Sequence, residues 1–134
     1  EYRVFVDFDN KEVLSVAPYW HPEVMKENFL DIGVSAPIQK QHDYINYINH
    51  EDTLMKRFEE NKELVVSEVS RLLAECKLKG QWSIDIMQNE TDFWLIDMAR
   101  ASESALSECV PKEKLKQAPL PFMISEGLLE VGEL

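Results

Sequence analysis

Glycine is scarce in this chain, with four residues in 134, and no GxGxxG or GxxxxGK[ST] run occurs. The glycine-rich loops whose backbone amides wrap a phosphate are therefore excluded. Cysteine is scarcer still. Cys76 and Cys109 stand alone, without a CxxC or a second zinc-spaced pair, which excludes a disulfide-stapled miniprotein and predicts reduced thiols in a cytoplasmic protein. No stretch approaches the roughly 18 to 20 consecutive apolar residues of a membrane helix, and no secretory signal pattern occurs. Positive charge is also short: 14 Lys and Arg against 25 Asp and Glu leave a formal net charge of −11. A field of that sign repels phosphate backbones and anionic lipid, so neither general nucleic-acid binding nor membrane docking is expected, whereas a cation site is compatible with it.

What remains is ordinary globular material. Hydrophobic residues make up 45% and charged residues 29% of a 15.6 kDa chain, which fits one domain with one modest core. Residues 2 to 8 alternate, with Tyr2, Val4, Val6 and Phe8 on one side and Arg3, Phe5 and Asp7 on the other. A polar turn, Asp9 to Glu12, leads to a second β-rich run, Val13 to Ala17, ended by Pro18. This reads as a hairpin over residues 2–17. Tyr19 to Pro22 reads as an aromatic loop held between two prolines. Tyr44 to Ile48 is compatible with strand or helix.

From about Asp52 the period becomes helical, with Phe58, Val65, Val69, Leu72, Leu73 and Cys76 on the apolar positions. Asn49 or Asp52 is the expected cap and Gly80 the expected C-terminal stop. Such a helix of about 26 residues is roughly 39 Å long and must lie across a sheet. Trp82 to Met87 and Phe93 to Met98 alternate again, giving a second hairpin over residues 82–98. Ala101 to Cys109 is expected as a short helix capped by Ser102. The fold class expected is α+β: an antiparallel sheet of two hairpins with a long helix packed on one face. The expected core is Val4, Val6, Phe58, Val65, Val69, Leu72, Ile84, Ile86, Leu95 and Ile96. Residues 1–110 form the domain, and 111–134, broken by Pro111, Pro119 and Pro121 and carrying Glu126, Glu130 and Glu133, form an acidic tail.

Two carboxylates stand out in the second hairpin. If a three-residue connection, Glu90 to Asp92, closes it symmetrically, Asp85 and Asp97 are directly opposed, with Cβ atoms about 4.5 to 5.5 Å apart. Like charges so placed call for neutralisation, and magnesium commonly takes one or two carboxylates together with nucleotide phosphates. The bland alternative is that both side chains face water. His21, His42 and His50 lack metal spacing and read as loop or surface residues, and no Gly-x-Ser-x-Gly elbow accompanies Ser102 and Ser104.

The segment WSIDIMQNETDFWLIDMARASES, Trp82 to Ser104, resembles the C-terminal metal-binding hairpin of the ATP-grasp superfamily: a strand carrying an Asp, a turn, and a second strand ending in an acid. The opening EYRVFVDFDNKEVLSV resembles the preceding hairpin of that family, and the long helix lies where the family has one, so the resemblance spans residues 1–104. It implies a C-terminal ATP-grasp subdomain in which Asp85 and Asp97 hold magnesium against ATP phosphates. Arg3 would reach a phosphate or acyl phosphate, and Arg100 would hold a carboxylate. The family usually has Asn two positions after the second acid, where this chain has Ala99. The chain runs into a strand directly from Glu1, and the expectation is a fragment whose N-terminal half supplies the adenine pocket and phosphate-binding lysine. The function so implied is the C-terminal part of an ATP- and magnesium-dependent carboxylate–amine ligase, inactive alone. The alternatives are a degenerate ATP-grasp-like module that binds a protein partner through its acidic surface, and an unrelated α+β interaction domain.

Overall fold

The computed structural model describes residues 1–30 and 36–116. It is α+β, with one antiparallel sheet of four strands, β1 (Tyr2–Asp7), β2 (Glu12–Pro18), β3 (Gln81–Asn89) and β4 (Asp92–Arg100), in the order β2-β1-β3-β4. Both expected hairpins are present, and antiparallel pairing of β1 with β3 joins them. Between them lie a short helix, α1 (Pro22–Asn28), and a long one, α2 (Ile38–Glu75). No helix among the described residues is long and apolar enough to cross a membrane.

Pro22 does more than end a loop. It opens α1, where a missing N–H costs nothing, and His21 caps that helix by accepting from the Glu23 amide. The long helix starts well before Asn49 and Asp52, and neither residue caps it; Pro37 precedes its first turn without a side-chain cap. Its 38 residues span about 57 Å. The additional N-terminal turns, which include Tyr44 to Ile48, are held by α1. The Phe29 ring meets Tyr44 and Tyr47 at centroid distances of 5.3 and 6.3 Å. At the other end α2 stops at Glu75, with Cys76 as its cap. Gly80 does not terminate the helix but turns the chain into β3 with a φ of 86°, a region that favours glycine. After β4, two 3₁₀ turns, Ala101–Glu103 and Ser107–Cys109, replace the expected short helix, and Ser102 lies inside the first rather than capping it.

The sheet is covered on both faces. Phe58, Val65, Val69 and Leu73 form the stripe of α2 that packs on Tyr2, Val4, Val6, Phe8, Ile84 and Ile86. Three expected core residues are not in it: Leu72, Leu95 and Ile96 are 41, 45 and 47% exposed. Leu72 stands about 100° around the helix from Leu73, off the stripe. The other two lie on β4, the edge strand on the side away from β1 and β2, against which α2 mainly lies. On the opposite face Phe5, Leu14 and Ala17 pack under Ala101, Leu106 and Val110, contributed by the segment that folds back after β4. That segment stays bound through residue 116. Lys114 pairs with Glu12 at 2.9 Å, and the Lys116 amide donates to Gln81 Oε1 at 2.8 Å. The rest of the expected tail, 117–134, lies outside the described residues.

Asp7 ties this segment to the first hairpin. It is 2% exposed, and burial alone disfavours its charge, but hydrogen bonds from Gln81 and Asn10 and the nearby Lys116 ammonium outweigh burial and hold the carboxyl below its ordinary range. A depressed native pKa adds stability that is complete above the unfolded value of about 3.9 and is lost as pH falls through the lower native value. Urea denaturation is expected to show wild type more stable than Asp7→Asn at neutral pH. The gap should shrink in the acid range below about pH 4; a gap independent of pH would remove Asp7 from this role.

Candidate functional site

The face opposite α2 carries a row of polar side chains across three strands. Arg3 on β1 is directly opposed to Asp85 on β3, and Asp85 to Asp97 on β4. The expected opposition of the two aspartates is present, but its cause differs from the one expected. Asn89 pairs with Asp92, so the hairpin closes through two residues, Glu90 and Thr91, and not three. Glu90 takes the positive φ, 57°, that such short turns demand of their first residue. This turn alone would set Asp85 against Ile96. A register shift between Asp85 and Ile86 inserts one extra residue into β4 and brings Asp97 into place. The bulge also disrupts the regular pairing edge of β4, a common protection of edge strands against unwanted partners.

Arg3 answers Asp85 at close range. Its Nε donates to Oδ1 and its Nη2 to Oδ2, both at 2.8 Å, a bidentate pair whose side chains are 15 and 6% exposed. The remaining Nη1 donates to the Ala105 carbonyl at 3.3 Å, and the guanidinium carbon lies 5.0 Å from the centre of the Tyr19 ring. The Arg3 pKa is raised above its ordinary value, chiefly by the hydrogen bond to Asp85. Burial opposes this, and the charges of Asp85 and Asp97 reinforce it. Asp97 is exposed. Its Oδ1 accepts from the Met98 amide at 2.9 Å, and among the described residues its Oδ2 has no hydrogen-bond partner. One guanidinium thus faces two carboxylates, a formal surplus of one negative charge with an uncommitted hard oxygen.

Could these residues hold magnesium? Both donors are carboxylates, the right chemistry for a hard cation. Each Asp85 oxygen gives Arg3 one lone pair and retains another. Among the described residues no three His, Cys, Asp or Glu side chains cluster as a metal site, so the donor set is Asp85 and Asp97 alone. Ala99, where the resembled family has Asn, lies on the same face one pair along, opposite Ser83. The buried Ser83 hydroxyl is bonded to Ser104 Oγ at 2.6 Å.

Arg100 is not gathered into this row. It lies opposite Trp82, shares the strand parity of Met98 rather than Asp97, and pairs with Glu103 at 3.6 Å with both side chains exposed. Tyr19, legible in the sequence as part of an aromatic loop, joins the row through a partner that local pattern does not show, Arg3. It meets Arg3 only because the chain end of β2 is tied to the start of β1, the Tyr19 amide donating to the Glu1 carbonyl at 3.1 Å. The cysteines are both free, and burial, with the Glu108 charge, pushes the Cys109 thiol up, away from nucleophilic chemistry. No family model matches this chain, and no curated protein or solved structure is significantly similar to it.

Proposed function

We propose that the Arg3–Asp85–Asp97 row is the magnesium- and phosphate-binding face of an ATP-dependent carboxylate–amine ligase of ATP-grasp type. In this reading the chain is the C-terminal part of the enzyme, and an N-terminal half of the same protein grips the nucleotide from the other side. The observation that carries the proposal is the register: three residues singled out from sequence stand side by side on one sheet face, with a negative surplus beside an arginine. Asp85 and Asp97 would hold the cation. When bound, magnesium neutralises phosphoryl oxygens and so eases attack on the terminal phosphorus. Arg3 orients and neutralises a phosphate, and Tyr19 keeps the guanidinium seated at the sheet edge.

A second reading has two observations in its favour. Asp85 is already satisfied by Arg3, and Ala99 removes an oxygen the family usually supplies; a degenerate module that uses its acidic surface to meet a protein would look the same. Manganese separates the two. Added with ATP to the chain, it is expected to broaden the amide signals around Asp85 and Asp97 at nucleotide concentrations on the order of 1 mM, since one wall of a cleft binds weakly. Asp97→Asn should remove the effect. Broadening spread over the helix acids Glu59, Glu60 and Glu63, or unchanged by Asp97→Asn, would reject the ligase reading.

A further inference from the structure

We propose that Arg3 is a built-in counter-ion: without nucleotide its guanidinium keeps Asp85 and Asp97 from holding a divalent cation, and a bound phosphate releases them. Release by phosphate rests on the proposed nucleotide reading; the block itself follows from the row's own geometry.

The need for a counter-ion comes from burial. The Asp85 side chain is 6% exposed and stands directly opposite a second carboxylate, Asp97. A buried carboxylate beside a like charge is costly unless a cation faces it. Arg3 is that cation, and it covers both oxygens of Asp85, with Nε on Oδ1 and Nη2 on Oδ2. One guanidinium and two carboxylates sum to −1; without Arg3 the sum is −2. A divalent ion approaching Asp85 therefore meets a fixed positive charge 2.8 Å from the carboxylate it would take. Within the row only Asp97 keeps an uncommitted oxygen, and one exposed carboxylate holds such an ion weakly.

The guanidinium is also equipped to be drawn away. Of the five N–H groups of an arginine, Arg3 gives two to Asp85 and one to the Ala105 carbonyl. The Ala105 contact is to a neutral acceptor and is long, at 3.3 Å, and the other two N–H groups have no acceptor among the described residues. A phosphate carrying more charge than one carboxylate can compete for these donors. As Arg3 turns to it, Asp85 regains the oxygens that a cation needs. Phosphate and divalent cation then favour each other's binding, and that coupling is reciprocal.

Manganese alone, without nucleotide, tests the counter-ion. Amide broadening around Asp85 and Asp97 should be absent from the wild-type chain at metal concentrations on the order of 1 mM and present in Arg3→Gln. The variant should bind manganese at least about tenfold more tightly than wild type, with a Kd on the order of 1 to 10 mM. Arg3→Lys, which keeps the charge, should behave as wild type, and Asp97→Asn added to Arg3→Gln should abolish the gain. Arg3→Gln leaves Asp85 without its counter-ion and lowers stability, so melting in magnesium is the second measurement. A tenfold excess over Kd should raise its Tm by about 4 °C over a sodium chloride control of equal ionic strength, with no such rise in wild type. If the variant is unfolded without metal, magnesium should restore its amide spectrum. The proposal is overturned by equal metal binding in wild type and Arg3→Gln, or by a gain in Arg3→Lys as large as that in Arg3→Gln. Magnesium without effect on the stability of Arg3→Gln overturns it equally. The nucleotide reading is decided separately, by broadening in wild type with ATP present.

Discussion

Asp85→Ala is expected to cost this chain about 3 to 5 kcal/mol, the loss that follows when one partner of a buried ion pair is removed and the other charge is left behind. Arg3 and Asp85 satisfy the condition for so large an effect. Their side chains are 15 and 6% exposed, they share two hydrogen bonds of 2.8 Å, and they join the two hairpins across β1 and β3. Removing both charges together tells the pair from the position. Arg3→Met with Asp85→Leu should recover most of the loss, because two apolar groups of similar size leave no uncompensated charge. Urea denaturation of the three variants measures this. A loss under about 1 kcal/mol for Asp85→Ala would mean that the pair behaves as an exposed one. The same argument decides which aspartate tests the proposed chemistry. Asp97, exposed and bonded among the described residues only to its neighbour's amide, can be changed to Asn at little structural cost. Asp85→Asn mixes any effect on a cation with the release of Arg3.

The second large effect lies on α2. Val69 is 3% exposed and packs on the sheet, whereas Leu72 is 41% exposed. Val69→Asp places an unpaired charge in the core and should cost roughly 4 kcal/mol or more. At about 3 °C per kcal/mol for a chain of this size, Tm falls by on the order of 12 °C or the domain fails to fold. Leu72→Asp should shift Tm by no more than about 2 °C, as surface substitutions generally do. Equal losses for the two variants would mean that the helix presents a different face to the sheet.

Much of the candidate site was legible in the sequence, but not always for the right reason. Arg3 could be assigned to the face away from Val4 because strand side chains alternate, and alternation is local. The opposition of Asp85 and Asp97 was reached through a three-residue turn that does not exist. A two-residue turn and a one-residue bulge differ from it by equal and opposite amounts, so the endpoint agrees. The partner of Asp85 was less legible. From the hairpin alone, a cation was the natural answer to two opposed acids. Arg3 comes from a strand 82 residues earlier in the chain, and only the β1–β3 pairing brings it within reach. Tyr19 was legible only as part of an aromatic loop; its contact with Arg3 is a tertiary fact.

By itself the sequence determined the two hairpins, the long helix between them and the α+β class, because period-2 and period-3.6 patterns record which side of each element is to be buried. It also determined most of the buried face of α2, where Phe58, Val65 and Val69 repeat at helical spacing. Only the tertiary structure decided where the elements lie relative to one another. Local pattern says that Leu95 and Ile96 are apolar, not that they lie on an edge strand that leaves them largely exposed. It gives α2 a strong second half, not the first half that exists because α1 folds against it. Burial is a property of what lies opposite, and in a sheet ordered β2-β1-β3-β4 what lies opposite is supplied by residues far away along the chain.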